Sequence, residues 1–327
     1  MKKTLKIVLP LLFGIGILVY FLSGFSREQF IEVKQSIAQA NPWLILLSVL
    51  LGVLSHIIRA LRWEYLLEPM VNKKLNKLNL IFAVGLSYLL NLGIPRSGEI
   101  ARALTLTKYE KLPFAKVMGT IIAERAIDLI LLGFFILLSL SLEWNLFLNM
   151  LRSVFGPVSS GKTILFLAGL GLFTLLLLFI LHKSQTTISK KIKGFLGQII
   201  TGFFSIIKSK NKMAFLFQTL VIWGLYLLML YVVMLAFEET RHLGLGAVLL
   251  AFVAGSISIV LSNGGIGTYP VFVTEVLVLY GVSREAGFAF SITMWTAQTL
   301  ILILFGLISM AGLQWVNQKT LPKPINP

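Results

Sequence analysis

Three ionisable residues, Glu124, Arg125 and Asp128, fall within five positions of the apolar run KVMGTIIAERAIDLILLGFF. Arg125 lies nine residues beyond Lys116, about 14 Å of helix, which is near mid-depth if the run crosses a bilayer. Glu124 and Asp128, at i and i+4, share a helical face, and Arg125 and Asp128 are at i and i+3. A charge at the centre of a spanning helix costs about 2.5–3.5 kcal/mol even on mild scales, so the trio must face a partner or an aqueous cavity. Two readings stand. The trio is a self-neutralising cluster completed by Arg96 or Arg102, or it lines a polar cavity that handles a charged head group or a proton. A second polar knot favours the cavity. In NLGIPRSGEIAR, residues Asn91, Gly93, Pro95, Arg96, Gly98, Glu99 and Arg102 follow directly on an apolar run. Gly93, Pro95 and Gly98 are expected at the tip of a hairpin, with Ser97 as the N-cap of its descending helix. Glu99 and Arg102 share a face and can pair. A third knot, SNGGIGTYP, carries Asn263, Gly264, Gly265 and Gly267, and Glu275 follows it among apolar neighbours. The helix after these glycines could meet a phosphate with its N-terminus, but the same glycines suit a tight turn with no ligand.

These knots need a scaffold, and composition names its solvent. Of 327 residues, 57% are hydrophobic and 13% charged, with a mean hydropathy of +0.89. That leaves too little polar surface for a soluble domain, so the chain is an integral membrane protein. The 29 Lys and Arg against 13 Asp and Glu sit in short segments between apolar runs. They read as cytoplasmic loops beside anionic lipid, with no nucleic-acid partner. The absence of cysteine excludes disulfides, thiolate metal sites and a cysteine nucleophile. The N-terminal apolar run of about 20 residues is longer than a signal-peptide core and is expected to be a retained first span.

At about 20 residues per crossing, six segments are long enough: 5–25, 43–63, 117–141, 163–182, 213–237 and 286–313. Two regions do not fit. The run 78–94 amounts to about 25 Å of helix and is closed by Pro95. The run 243–280 is broken by its glycine-rich knot. If both are re-entrant hairpins and the N-terminus is inside, 22 Lys and Arg face the cytoplasm and six face outward, as the positive-inside rule demands. A full crossing at 78–94 would instead turn the seven lysines of 183–212 outward. The knots share the pattern Asn-x-Gly-Ile, at 91–94 and 263–266, 172 residues apart. The expected fold is therefore an all-α polytopic bundle of about six spans plus two oppositely oriented re-entrant hairpins in an inverted repeat. It forms one integral membrane domain with approximate halves 1–160 and 161–327. Both termini lie in the cytoplasm, the chain sits in the cell (inner) membrane, and segment 183–212 is an amphipathic helix on anionic lipid.

Other chemistry is not encoded. Three separated histidines offer no zinc spacing, there is no phosphate-binding P-loop and no GxSxG, and Asp128 is the chain's one aspartate, so no DxD pair exists. No metal or cofactor is expected. Arg59 and His56 are expected near the inner end of the second span, with Arg59 snorkelling to the interface.

The pieces IPRSGEIARALTL, GTIIAERAIDLILL and SNGGIGTYPVFVTEVLVLYGV resemble, in order and spacing, the lysylphosphatidylglycerol synthase transmembrane-region family of flippase-like membrane proteins. The most specific parts are Gly98-Glu99-x-x-Arg102, Glu124-Arg125-x-x-Asp128 and Gly264-Gly265-x-Gly267. The chain departs from the family pattern in placing Ser262-Asn263 before the paired glycines, with Pro270 later. The resemblance implies translocation of a phospholipid or lipid-linked head group between leaflets. It implies no aminoacyl transfer, because the soluble synthase domain of the multiple peptide resistance factor has no counterpart in this sequence. Stand-alone relatives also imply an alternative, a polyprenyl-phosphate-dependent membrane glycosyltransferase or an accessory of envelope synthesis. Membrane lipids are the expected partners, with a homodimer or an envelope-synthesis protein as further possibilities.

Overall fold

The computed structural model describes residues 2–71, 74–94, 96–155 and 211–318. Every regular element among them is helical: α1 (Lys2–Ser23), α2 (Arg27–Gln39), α3 (Pro42–Leu67), α4 (Lys77–Gly93), α5 (Ser97–Tyr109), α6 (Phe114–Leu142), α7 (Trp144–Phe155), α8 (Lys212–Ala236), α9 (Leu245–Leu261), α10 (Thr268–Leu279) and α11 (Arg284–Val316). The expected span 163–182 and residues 183–210 of the amphipathic segment lie outside the described residues. Among the described residues, three helices are long and apolar enough to cross a membrane: α3 with its 3-10 extension to Met70, α8 and α11. The pair α1 and α2, bent by 110°, makes a fourth if counted as one span.

Local chemistry sets these boundaries. Ser26 closes a capping box with Gln29 at the head of α2. Asn41 accepts from the amides of Trp43 and Leu44, with Pro42 in the first turn where a missing N–H costs nothing. Asn76 caps α4 and Ser283 caps α11 in the same way. Each satisfies amides that hydrocarbon could not.

Close approaches divide the chain into two compact units, residues 1–121 with 206–327, and residues 122–205; the division falls within α6. In the first unit, Phe21, Leu230, Val248, Val273 and Phe290 belong to one buried cluster that joins α1, α8, α9, α10 and α11. Outward stripes such as Leu300, Leu304, Leu307 and Ile308 on α11 stay exposed. In water such a stripe would be an aggregation surface, and in a bilayer it meets acyl chains. Lipid is as apolar as leucine, so helices here associate through close fit. The seam between α4 and α11 shows this: a Cβ at Gly85 would lie 2.1 Å from Ser309 Oγ, at Gly306 2.4 Å from Leu89 Cβ, and at Gly312 2.5 Å from the Phe82 ring. In the second unit, Phe134 and Phe135 meet edge to face at 5.5 Å, and Trp144 tilts over Phe147 at 5.7 Å.

Candidate functional site

The first polar knot is the bend of a helical hairpin. α4 ends at Gly93, the chain turns, and α5 folds back along α4. The left-handed position of the turn is occupied by Arg96, at φ 66°, a conformation that costs a non-glycine residue on the order of 1 kcal/mol. Arg96 is exposed. Gly93 takes no positive φ, and a Cβ there would meet nothing within 4 Å. Pro95 lies outside the described residues. Gly98 is required for close approach, since its Cβ would fall 2.0 Å from the Ser87 carbonyl oxygen of α4.

Asn91 organises the bend. Its Oδ1 accepts from the Gly98 amide at 2.9 Å, and its Nδ2 reaches Glu99 Oε1 at 3.4 Å. The role expected of Ser97 as N-cap therefore belongs to Asn91, acting across the hairpin. Ser97 is the first residue of α5, and its hydroxyl contacts the carbonyls of Leu90 at 3.0 Å and Ile94 at 2.7 Å, covering the open end of α4. At the other end of the hairpin, buried Glu110 accepts from Asn79 Nδ2 at 2.7 Å and from the Asn76 amide at 3.3 Å. Asn317 Nδ2 donates to Asn79 Oδ1 at 2.7 Å. Because α5 finishes beside the start of α4, the chain returns to the end from which it set out.

One turn beyond the bend, Arg102 is 4% exposed, and its guanidinium carbon lies 3.7 Å from the centre of the Trp63 ring. Trp63 is fully buried, and its Nε1 donates to Thr120 Oγ1 at 2.9 Å. The neighbouring arginines of α3 are also inside. Arg62 is fully buried, donates to Thr219 Oγ1 at 2.9 Å and sits 5.0 Å from the Phe215 ring centre. Arg59, expected to snorkel, is instead 5% exposed and donates to the Tyr226 hydroxyl at 3.1 Å. Its guanidinium finds a hydroxyl and a ring face within the protein, so it has no need to reach the interface. His56 lies tilted against Tyr88 at 4.5 Å and parallel to the Phe305 ring at 6.2 Å. Sequence reasoning passed over Arg62. The signal was available, since Ser48, Ser55, His56, Arg59 and Arg62 form a buried polar stripe at helical spacing on α3.

The second knot is a left-handed turn built by three glycines, with Gly264 at φ 64°, Gly265 at 78° and Gly267 at 76°. Only glycine adopts such a series without strain. Asn263 is buried. Trp295 Nε1 donates to the Gly264 carbonyl at 3.0 Å, and the Ser262 and Thr268 hydroxyls lie 2.6 Å apart across the turn. Thr268 also donates to the Ser258 carbonyl at 3.0 Å. α1 seats itself on this turn: a Cβ at Gly14 would lie 2.0 Å from the Ile266 oxygen, and one at Gly267 2.0 Å from the Gly14 oxygen.

The two knots meet. A Cβ at Gly264 would stand 3.0 Å from Leu92 Cδ2, so the two Asn-x-Gly-Ile sequences, 172 positions apart, abut at their tips. Asn91, Gly98, Glu99 and Arg102 cluster at the first tip, and Asn263, Gly264, Gly265 and Gly267 at the second. Glu275 is elsewhere: it is exposed on α10 and pairs with Arg284 at 3.0 Å. Of the α6 trio, Glu124 is buried, Asp128 half-buried and Arg125 exposed.

A family model described as "Lysylphosphatidylglycerol synthase TM region" matches residues 7–306. The UPF0104 membrane protein MJ1595 of Methanocaldococcus jannaschii is 26% identical over 139 residues, 42% of this chain and 39% of that protein. No solved structure matches.

Proposed function

Because the chain belongs to the lysylphosphatidylglycerol synthase transmembrane-region family, we propose that it is a flippase-like membrane protein that carries a phospholipid or lipid-linked head group between leaflets. In this reading the two broken helix pairs are re-entrant hairpins entering from opposite faces, set among six crossings, with both termini on the cytoplasmic side of the cell membrane. The observation that carries the reading is the meeting of the two breaks at Leu92 and Gly264, next to a hairpin that buries Arg102. Broken helices inside a membrane are tolerated where their freed backbone groups face protein or a water-filled path. Buried Arg59, Arg62 and Arg102 supply positive potential for a phosphate, while Asn91 and Glu99 supply polar groups at the bend. Within α6, Glu124, Arg125 and Asp128 are proposed to handle a charged head group or a proton.

The test is reconstitution of the purified chain in vesicles with fluorescent phospholipids, measuring leaflet exchange for the native protein and for Glu99→Gln, Arg102→Ala and Arg125→Ala. Exchange that drops at least tenfold in Arg102→Ala, with intact folding, supports the reading; about 1.4 kcal/mol of lost binding suffices for that. Exchange indifferent to all three changes sinks it. Release of sugar or carrier phosphate from a polyprenyl-linked donor would favour the glycosyltransferase alternative.

A further inference from the structure

The short helix α2 divides its circumference three ways. At about 100° per residue, Gln29, Val33 and Ser36 occupy one sector, and the capping residue Ala40 continues it. This sector faces the protein: Val33, Ser36 and Ala40 are buried, α2 packs on α11, and the Gln29 side chain donates to Glu285 in the first turn of that helix. The exposed remainder is segregated. Along one edge run Phe30, Ile31 and Ile37, at 39%, 49% and 39% exposure, interleaved with Arg27 and Lys34. Along the other run Glu28, Glu32, Gln35 and Gln39. Every exposed apolar side chain and both cations of α2 lie on the first edge, and both carboxylates lie on the second.

The orientation of the helix gives this pattern a meaning. α2 leaves the apolar α1 at a bend of 110°, so it runs nearly perpendicular to a helix that inserts along the membrane normal. Highly exposed aromatic residues stand on either side of it in sequence, Tyr20 at 83% and Trp43 at 75%, the residue types that settle at head-group depth. A helix lying in that plane meets acyl chains and phosphates on one edge and water on the other.

We propose that α2 is an in-plane interfacial helix whose Arg27–Lys34 edge docks on the phosphates of anionic lipid. Phe30, Ile31 and Ile37 sink into the acyl boundary beside them, and Glu28 and Glu32 face water. The surface is separate from the two broken helix pairs and does not depend on the transport reading. It is a docking site for the bilayer itself, which fixes the height and tilt of α1 and α3 on either side.

The chain has no cysteine, so single-cysteine variants can be made directly in the full-length protein. An environment-sensitive fluorophore is attached at Ile31→Cys, Ile37→Cys, Glu32→Cys and Gln35→Cys, in vesicles of phosphatidylcholine with and without phosphatidylglycerol. Nitroxide-bearing lipid serves as quencher. Labels at 31 and 37 are expected to be blue-shifted and quenched, more strongly with phosphatidylglycerol, and labels at 32 and 35 to remain water-like. Combined Arg27→Gln and Lys34→Gln substitutions abolish the phosphatidylglycerol-dependent part and leave thermal unfolding in detergent unchanged. Equal quenching on both edges overturns the proposal. So does a blue shift at 31 and 37 that persists in detergent and ignores nitroxide lipid, which would mean protein covers the edge. Quenching indifferent to both lipid charge and charge removal overturns the phosphate contact.

Discussion

Arg102 shows how a charge is kept inside this protein. Its guanidinium carbon stands 3.7 Å from the Trp63 ring centre, a desolvated cation–π contact worth about 2 kcal/mol, and Trp63 is itself fixed by Thr120. Lysine keeps the charge but cannot stack as a plane. Arg102→Lys is therefore expected to fold and to lose most of the exchange activity that Arg102→Ala loses, as read in the same vesicle assay. Activity retained in the lysine variant would show that charge alone suffices. Asn91 works differently, holding the hairpin closed by accepting from the Gly98 amide at 2.9 Å. Removal of such a cap costs about 1 kcal/mol, so Asn91→Ala should lower the thermal midpoint in detergent, whereas Ile100→Ala, exposed on α5, should not. Most of these residues were legible in the sequence as polar groups in apolar surroundings. Their roles were less so: the cap at Ser97 moved to Asn91, and the left-handed turn fell on Arg96 while Gly93 faces open space.

Among the elements, the contact between α4 and α11 is the most sensitive to size. Gly85, Gly306 and Gly312 each stand where a methyl group would overlap a neighbour, and in lipid such fit is what holds helices together. Gly306→Val is expected to destabilise the protein by about 1–3 kcal/mol, seen as an earlier loss of helical signal on heating in detergent. Gly93→Val, open to space, is the matched control and should change little. The long helices came from the lengths of the apolar runs almost unaided: the segments expected at 43–63, 117–141, 213–237 and 286–313 appear as α3, α6, α8 and α11 with boundaries shifted by a few residues. The seam did not, because a glycine's spacing in one helix says nothing of which helix it will face.

Across the whole molecule, the topology rests on lysine and arginine placement. In the proposed topology, where Lys and Arg placement makes the first break return to its own side, positions 96 and 190 are expected on the same face of the membrane. Cysteines at the two sites should therefore react with an impermeant reagent from the same side of sealed vesicles. Labelling from opposite sides would overturn the proposed opposed hairpins and the proposed transport path with them. The structure contributes an observation of a different kind: the end of α5 lies beside the start of α4 through Glu110, Asn79 and Asn317.

The sequence by itself determined the solvent, the helical class, the places where helices break and the family, because all four depend on local composition, on spacing and on short motifs. Hydrocarbon admits no unsatisfied backbone, so an apolar run of 20 residues has one outcome wherever it sits. Only the tertiary structure decided that two breaks 172 residues apart touch at Leu92 and Gly264, that Arg59 and Arg62 turn inward, and that Glu275 pairs with Arg284 at the surface. Those outcomes depend on which faces meet, and the meeting of faces is set by the fit of side chains far apart in the chain.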